Sequence, residues 1–115
     1  MKKYSGEVRA LKRGLTEICY GFFSTLANPT RLAVLEKLMG GPMNVSSLAE
    51  ALGQEQSMVS HNLKPLERCG IIVVERRGKE KVYMLQGETA EQLFRVVKHH
   101  SENYCPFKDA CADSK

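Results

Sequence analysis

Four side chains near the middle of the chain share one helical spacing and one kind of chemistry. Ser57, Ser60, His61 and Lys64 lie at i, i+3, i+4 and i+7, so a helix carries them on one face. Each is a hydrogen-bonding or cationic group, and no acid is among them. That is the chemistry needed to enter a groove lined by acceptors and phosphate. Gln54 and Gln56 just precede them, and their amides suit phosphate or adenine edges. Farther on, Arg76, Arg77, Lys79 and Lys81 stand against Glu75 and Glu80. Such a basic segment suits the phosphate backbone, where contacts raise affinity and salt dependence without choosing a sequence. Taken alone, the first group is also a solvated helix face, and the second is also a charged edge that guards a strand. The order of the elements favours the groove and phosphate readings.

The second reactive set is thiols: Cys19, Cys69, Cys105 and Cys111. In a reducing compartment they are free thiols, metal ligands or redox sensors rather than a disulfide framework. Cys19 on an apolar helical stripe and Cys69 beside Gly70 read most simply as packing residues. Cys105 and Cys111 lie in a polar tail, where packing explains them less well.

The elements that must hold these residues follow from periodicity. Val8, Leu11, Leu15, Ile18, Phe22 and Leu26 predict a helix over 5–27, with Gly14 and Gly21 as weak points. Asn28-Pro29 supplies an N-cap and a first-turn proline for a second helix over 29–39. A third helix opens at Asn44-Val45-Ser46-Ser47, capped by Ser46 or Asn44, and stops at Gly53. The fourth runs from about Ser57 to Cys69, with Val59, Leu63 and Leu66 as its buried face. Pro65 inside it removes one backbone hydrogen bond and should bend it. Ile71–Arg76 and Lys81–Leu85 form β-rich runs around Gly78, a hairpin. A last helix spans about Thr89 to Asn103, and Pro106 prevents its continuation. The fold is therefore mainly α with a small β-hairpin, a winged helix-turn-helix in the order ααααββα. Residues 1–104 are expected to form one winged-helix DNA-binding domain, and 105–115 an irregular cysteine-containing tail.

Composition agrees with one soluble domain. The chain has 115 residues, 43% hydrophobic and 26% charged, with 17 basic against 13 acidic residues and a net charge of +4. That surplus is compatible with a nucleic-acid partner. No stretch approaches the roughly 20 apolar residues of a membrane span, and the charged N-terminus lacks a signal-peptide pattern. The expectation is a cytoplasmic protein. No paired carboxylates, nucleophile–base set or glycine-rich phosphate loop appears, which argues against an enzyme.

Three segments resemble the ArsR/SmtB family of dimeric winged-helix repressors. FFSTLANPTRLAVLEKL is similar to that family's leucine–alanine–x–proline–x–arginine–leucine start of the second helix. QSMVSHNLKPLERCGII matches serine–x–x–serine–x–x–leucine–x–x–leucine closing on glycine. RRGKEKVYML matches a wing with arginine–x–glycine and then a tyrosine before an apolar residue. The resemblance covers about residues 16–100. It implies a homodimer through the first and last helices, and two recognition helices in successive major grooves of a pseudopalindromic duplex DNA site. It also implies that ligand binding releases DNA. Many members carry arginine–histidine after the second serine, whereas this chain has His61-Asn62, so base preference does not transfer.

The sensor sites of that family are not matched. The cysteine–x–cysteine pair of metalloid sensors is absent from Gly41–Leu48. The last helix has His99 and His100 but no earlier aspartate–x–histidine. Adjacent histidines on a helix diverge by about 100°, which disfavours one shared ion. Cys105 and Cys111 flank PFKDA, and the break at Pro106 allows the thiols to meet. Soft thiolates suit arsenite, cadmium or copper(I). If the first and last helices pack as the resemblance implies, Cys19 is a third ligand in a Cys19/Cys105/Cys111 set. A reversible Cys105–Cys111 disulfide is the alternative, and a winged helix serving only protein–protein contact is a further one.

Overall fold

The structure is a computed structural model, and it describes residues 14–106. Its elements are α1 (Leu15–Leu26), α2 (Pro29–Leu38), β1 (Met43–Asn44), α3 (Val45–Leu52), α4 (Gln56–Cys69), β2 (Ile72–Arg77), β3 (Glu80–Leu85) and α5 (Thr89–Asn103). The first-helix positions 5–13, and with them Val8 and Leu11, lie outside the described residues, as does the tail from 107 onward with Cys111.

Local sequence chemistry sets most boundaries. Asn28 caps α2, its Oδ1 accepting the Arg31 N–H at 3.1 Å, with Pro29 in the first turn. Asn44, rather than Ser46, caps α3, accepting the Ser47 N–H at 2.8 Å. Gly53 (φ 65°) and Gly70 (φ 87°) end α3 and α4 in the left-handed region, where a side chain costs about 1–2 kcal/mol. Helix α4 begins one residue earlier than expected and runs through Pro65 to Cys69.

One element was not expected. β1 is two residues long and pairs antiparallel with β3, Met43 opposite Tyr83 and Asn44 opposite Val82. The hairpin is thus a three-stranded sheet, β1-β3-β2, and the order is ααβααββα. A two-residue strand abutting a helix cap has no alternation to read; it forms because β3 offers it an open edge.

The core lies where α2, α3, α4 and the sheet meet. Val34, Leu35, Leu48, Val59, Leu63, Leu66 and Ile72 are its fully buried side chains, and Val59, Leu63 and Leu66 are the face the spacing predicted. Their burial fixes the roll of α4 and therefore which residues it turns outward. Helices α1 and α5 pack less completely. Leu15, Ile18 and Phe23 on α1 and Val96 and Val97 on α5 remain exposed. Cys19 corrects one reading: it is exposed on α1, not packed. Cys69 is half-buried against the core. Among the described residues no helix is long and apolar enough to cross a membrane.

Candidate nucleic-acid interface

With Val59, Asn62, Leu63 and Leu66 buried, the opposite face of α4 presents Ser57, His61 and Lys64 to solvent. Ser60 is half-buried at the margin of that face, because it sits beside Val59 and one turn from the core row. Arg68 is exposed and extends the outward row at i+11 from Ser57. Sequence reasoning missed it, although the spacing 57, 61, 64, 68 was legible. The row carries hydroxyl, imidazole, ammonium and guanidinium groups and no acid, a chemistry compatible with acceptors and phosphate.

The turn before α4 is tied down by side chains. Gln54 Nε2 donates to Thr30 Oγ1 at 3.3 Å and Gln56 Nε2 donates to Ser46 Oγ at 3.1 Å. Both glutamines were expected at a nucleic-acid contact. Here each uses an amide N–H to join helices, while the residues themselves stay exposed beside the first turn of α4.

A second tie passes beneath the helix. Among the described residues Asn62 is the buried polar residue of the core, 5% exposed. Its Oδ1 accepts from Arg31 Nε at 2.9 Å, and its Nδ2 donates to the Met58 carbonyl at 3.1 Å. Arg31 Nη1 also donates to the Thr25 carbonyl at 3.0 Å, in the last turn of α1. A cation there also suits the negative end of the helix dipole. One guanidinium thus joins the end of α1, the start of α2 and the middle of α4.

The wing carries its charge in register. Arg77 faces Glu80, and Arg76 faces Lys81 directly across the strands. Arg77 Nη2 lies 3.3 Å from Glu75 Oε1, an exposed pair worth about 0–1 kcal/mol. Glu80 Oε2 accepts from Asn44 Nδ2 at 3.2 Å. Both wing acids are therefore engaged. Among the described residues Arg76, Lys79 and Lys81 have no carboxylate partner within salt-bridge distance. Gly78 (φ 65°) makes the two-residue turn that presents Lys79. At the other end of β3, burial pushes the Tyr83 phenol above its usual pKa, and the Glu67 carboxylate adds to the rise.

The thiol set is only partly described. Cys19 lies on α1, and Cys105 is half-buried just after α5, its N–H donating to the His100 carbonyl at 3.0 Å. The Tyr104 ring lies 5.8 Å from that of His99 and 6.0 Å from that of His100. Among the described residues no three His, Cys, Asp or Glu side chains converge to hold a metal ion. A three-thiol set therefore depends on Cys111, outside the described residues, or on a second copy of the chain.

Helices α1, α2 and α5 leave an open apolar groove of about 270 Å³, lined among others by Phe23, Leu32, Leu93, Phe94 and Val97.

Comparison with known proteins agrees with this geometry. Residues 28–74, from the cap of α2 into β2, match the family model of bacterial regulatory proteins of the arsR family. The chain is 45% identical over 78 residues to the transcriptional regulator NmtR of Mycobacterium tuberculosis, covering 68% of this chain and 65% of that one. It is 34% identical over 79 residues to a transcriptional repressor SmtB homolog of Synechocystis, covering 69% and 60%. The matched segments thus span less than two thirds of these relatives' own lengths. A homodimeric winged helix-turn-helix DNA-binding domain from Mycobacterium bovis superposes with a TM-score of 0.70 at 29% identity, covering 78% of this chain and 83% of that one. The chain belongs to the ArsR/SmtB family of winged helix-turn-helix transcriptional regulators.

Proposed function

We propose that this protein is a homodimeric repressor that binds a pseudopalindromic duplex operator. The observation that carries this reading is the acid-free outward row of Ser57, His61, Lys64 and Arg68 on a helix whose opposite face is locked into the core. The row enters the major groove, and Arg76, Lys79 and Lys81 hold the flanking backbone. A second copy of the chain covers the apolar groove and the exposed faces of α1 and α5. The homodimeric relative and the repressor relative support both halves of this reading.

The decisive experiment is selection of duplexes from a randomised pool, followed by a mobility-shift titration at several salt concentrations. His61→Ala with Lys64→Ala is expected to lower specific affinity at least tenfold. Unchanged affinity sinks the groove assignment. A winged helix used only for protein contact predicts that no duplex is enriched.

The effector is proposed to act on thiols, with a soft metal or metalloid held by Cys105 and Cys111 and by Cys19 as third sulfur. An oxidant closing a Cys105–Cys111 disulfide is the alternative. The Cys105→Ser/Cys111→Ser chain is expected to bind DNA normally and to ignore arsenite, cadmium and oxidant. Cys19→Ser separates the two chemistries, since only the three-sulfur site needs it. Release of DNA from the double variant overturns the thiol reading.

A further inference from the structure

Most large apolar side chains left in solvent lie on α1, α2 and α5, among them Ile18, Phe23, Leu32, Val96 and Val97. Met58 does not. Among the described residues it is the exposed large apolar side chain of the α3–α4–wing unit, 51% exposed in the first turn of α4. It lines a concave surface of about 560 Å³ with Gly53, Gln54, Glu55, Ser57 and His61. No other large apolar side chain lines that surface. Met58 therefore has no hydrophobic neighbour there to cover it, and the apolar groove assigned to the partner copy lies on other helices.

Its position is well defined. The Met58 N–H donates to the Glu55 carbonyl at 3.1 Å, and its carbonyl accepts from Asn62 Nδ2, the same amide that anchors Arg31. At about 100° per residue, Met58 stands about 60° from His61 around the helix axis. It flanks the outward row from the end of the helix that reaches base edges in this kind of module. The major groove presents hydrogen-bond donors and acceptors and one apolar group, the 5-methyl of thymine. A flexible, polarisable thioether moulds readily against such a methyl.

We infer that Met58 is a specificity residue that packs on a thymine 5-methyl in each half-site. This rests on the DNA-binding reading above and deepens it: the preferred duplex carries thymine where the first turn of α4 meets the groove. Ser57 and His61 beside it supply the polar contacts, and Met58 supplies the apolar one.

The test replaces each thymine of the selected duplex, one at a time, with deoxyuridine. Uracil pairs with adenine in the same way and lacks only the methyl. For the full-length protein, one thymine per half-site is expected to lose about fourfold in affinity on this change, the effect of withdrawing one buried methyl. Met58→Ala is expected to bind the thymine and uracil duplexes equally, and Met58→Leu to keep part of the difference. Met58→Gln, of similar length and polar, is expected to lose it like the alanine variant. The inference is overturned if no thymine shows a methyl effect, or if Met58→Ala discriminates as the unaltered chain does. Failure to enrich any duplex overturns the DNA reading and this inference with it.

Discussion

Arg31 Nε donates to Asn62 Oδ1 at 2.9 Å, joining residues 31 positions apart beneath α4. The same guanidinium holds the Thr25 carbonyl at the end of α1. The pair is a joint between the helix with the exposed apolar face and the helix with the outward polar row. A buried amide oxygen left without its donor costs about 1–3 kcal/mol, so Arg31→Ala is expected to destabilise the protein by that amount in urea unfolding. Arg31→Lys is expected to recover little, because one ammonium cannot reproduce the forked geometry that serves both acceptors. Full recovery by lysine would show that charge alone matters at this joint.

Asn44 works at two ends. Its Oδ1 caps α3 and its Nδ2 reaches Glu80 on the wing. Asn44→Ala is expected to cost about 1 kcal/mol, the usual loss of a cap. Asn44→Asp keeps the cap acceptor but sets a carboxylate against Glu80. Adding Glu80→Gln should then restore stability, and a double-mutant cycle on denaturation midpoints reads that coupling. No coupling between the two positions would mean that the hydrogen bond to the wing is inconsequential.

Arg76 and Lys81 face each other across the hairpin. Like charges directly opposite destabilise a strand pair by a few tenths to about 1 kcal/mol, a cost that bound phosphate would remove. Lys81→Glu is expected to raise thermal stability slightly while weakening DNA binding. Lys81→Gln is expected to lower the slope of log affinity against log salt by about 1.8, because the homodimer loses one phosphate contact from each copy. An unaltered slope would place Lys81 outside the phosphate contacts.

Tyr83 gives the stability a dependence on alkaline pH. Its phenol is raised above the ordinary value of 10.0 by burial and by Glu67, so the folded chain holds that proton more tightly than the unfolded chain. The stabilising contribution is complete below the unfolded pKa and is lost as pH rises through the folded one. Urea midpoints measured upward from about pH 9 should therefore fall, and Tyr83→Phe should flatten the fall. A decline that is equally steep in Tyr83→Phe would assign it to other groups.

Much of this architecture was legible because its causes are local. The i, i+4, i+7 row of Val59, Leu63 and Leu66 predicted the buried face of α4, and those three side chains are buried. Asn28-Pro29, Gly53 and Gly70 marked helix ends through capping and backbone freedom, and the chain turns there. The outward chemistry of Ser57, His61 and Lys64 followed from the same periodicity.

What the sequence by itself determined was the set of elements, their polar and apolar faces, and the kinds of groups each face offers. Those depend on neighbours within a few residues, where helical period and turn chemistry act. Only the tertiary structure decided which polar groups serve the fold and which remain free. Asn62 and Arg31 satisfy each other between α4 and α2, Gln54 ties the turn before α4 to α2, and Gln56 ties α4 to α3. Ser60 is drawn half under cover, Arg68 joins the outward row, and β1 exists because β3 offers it an edge. Cys19 is exposed because α1 packs one face only. Each of these is fixed by the relative placement of distant segments, which periodicity along the chain does not encode.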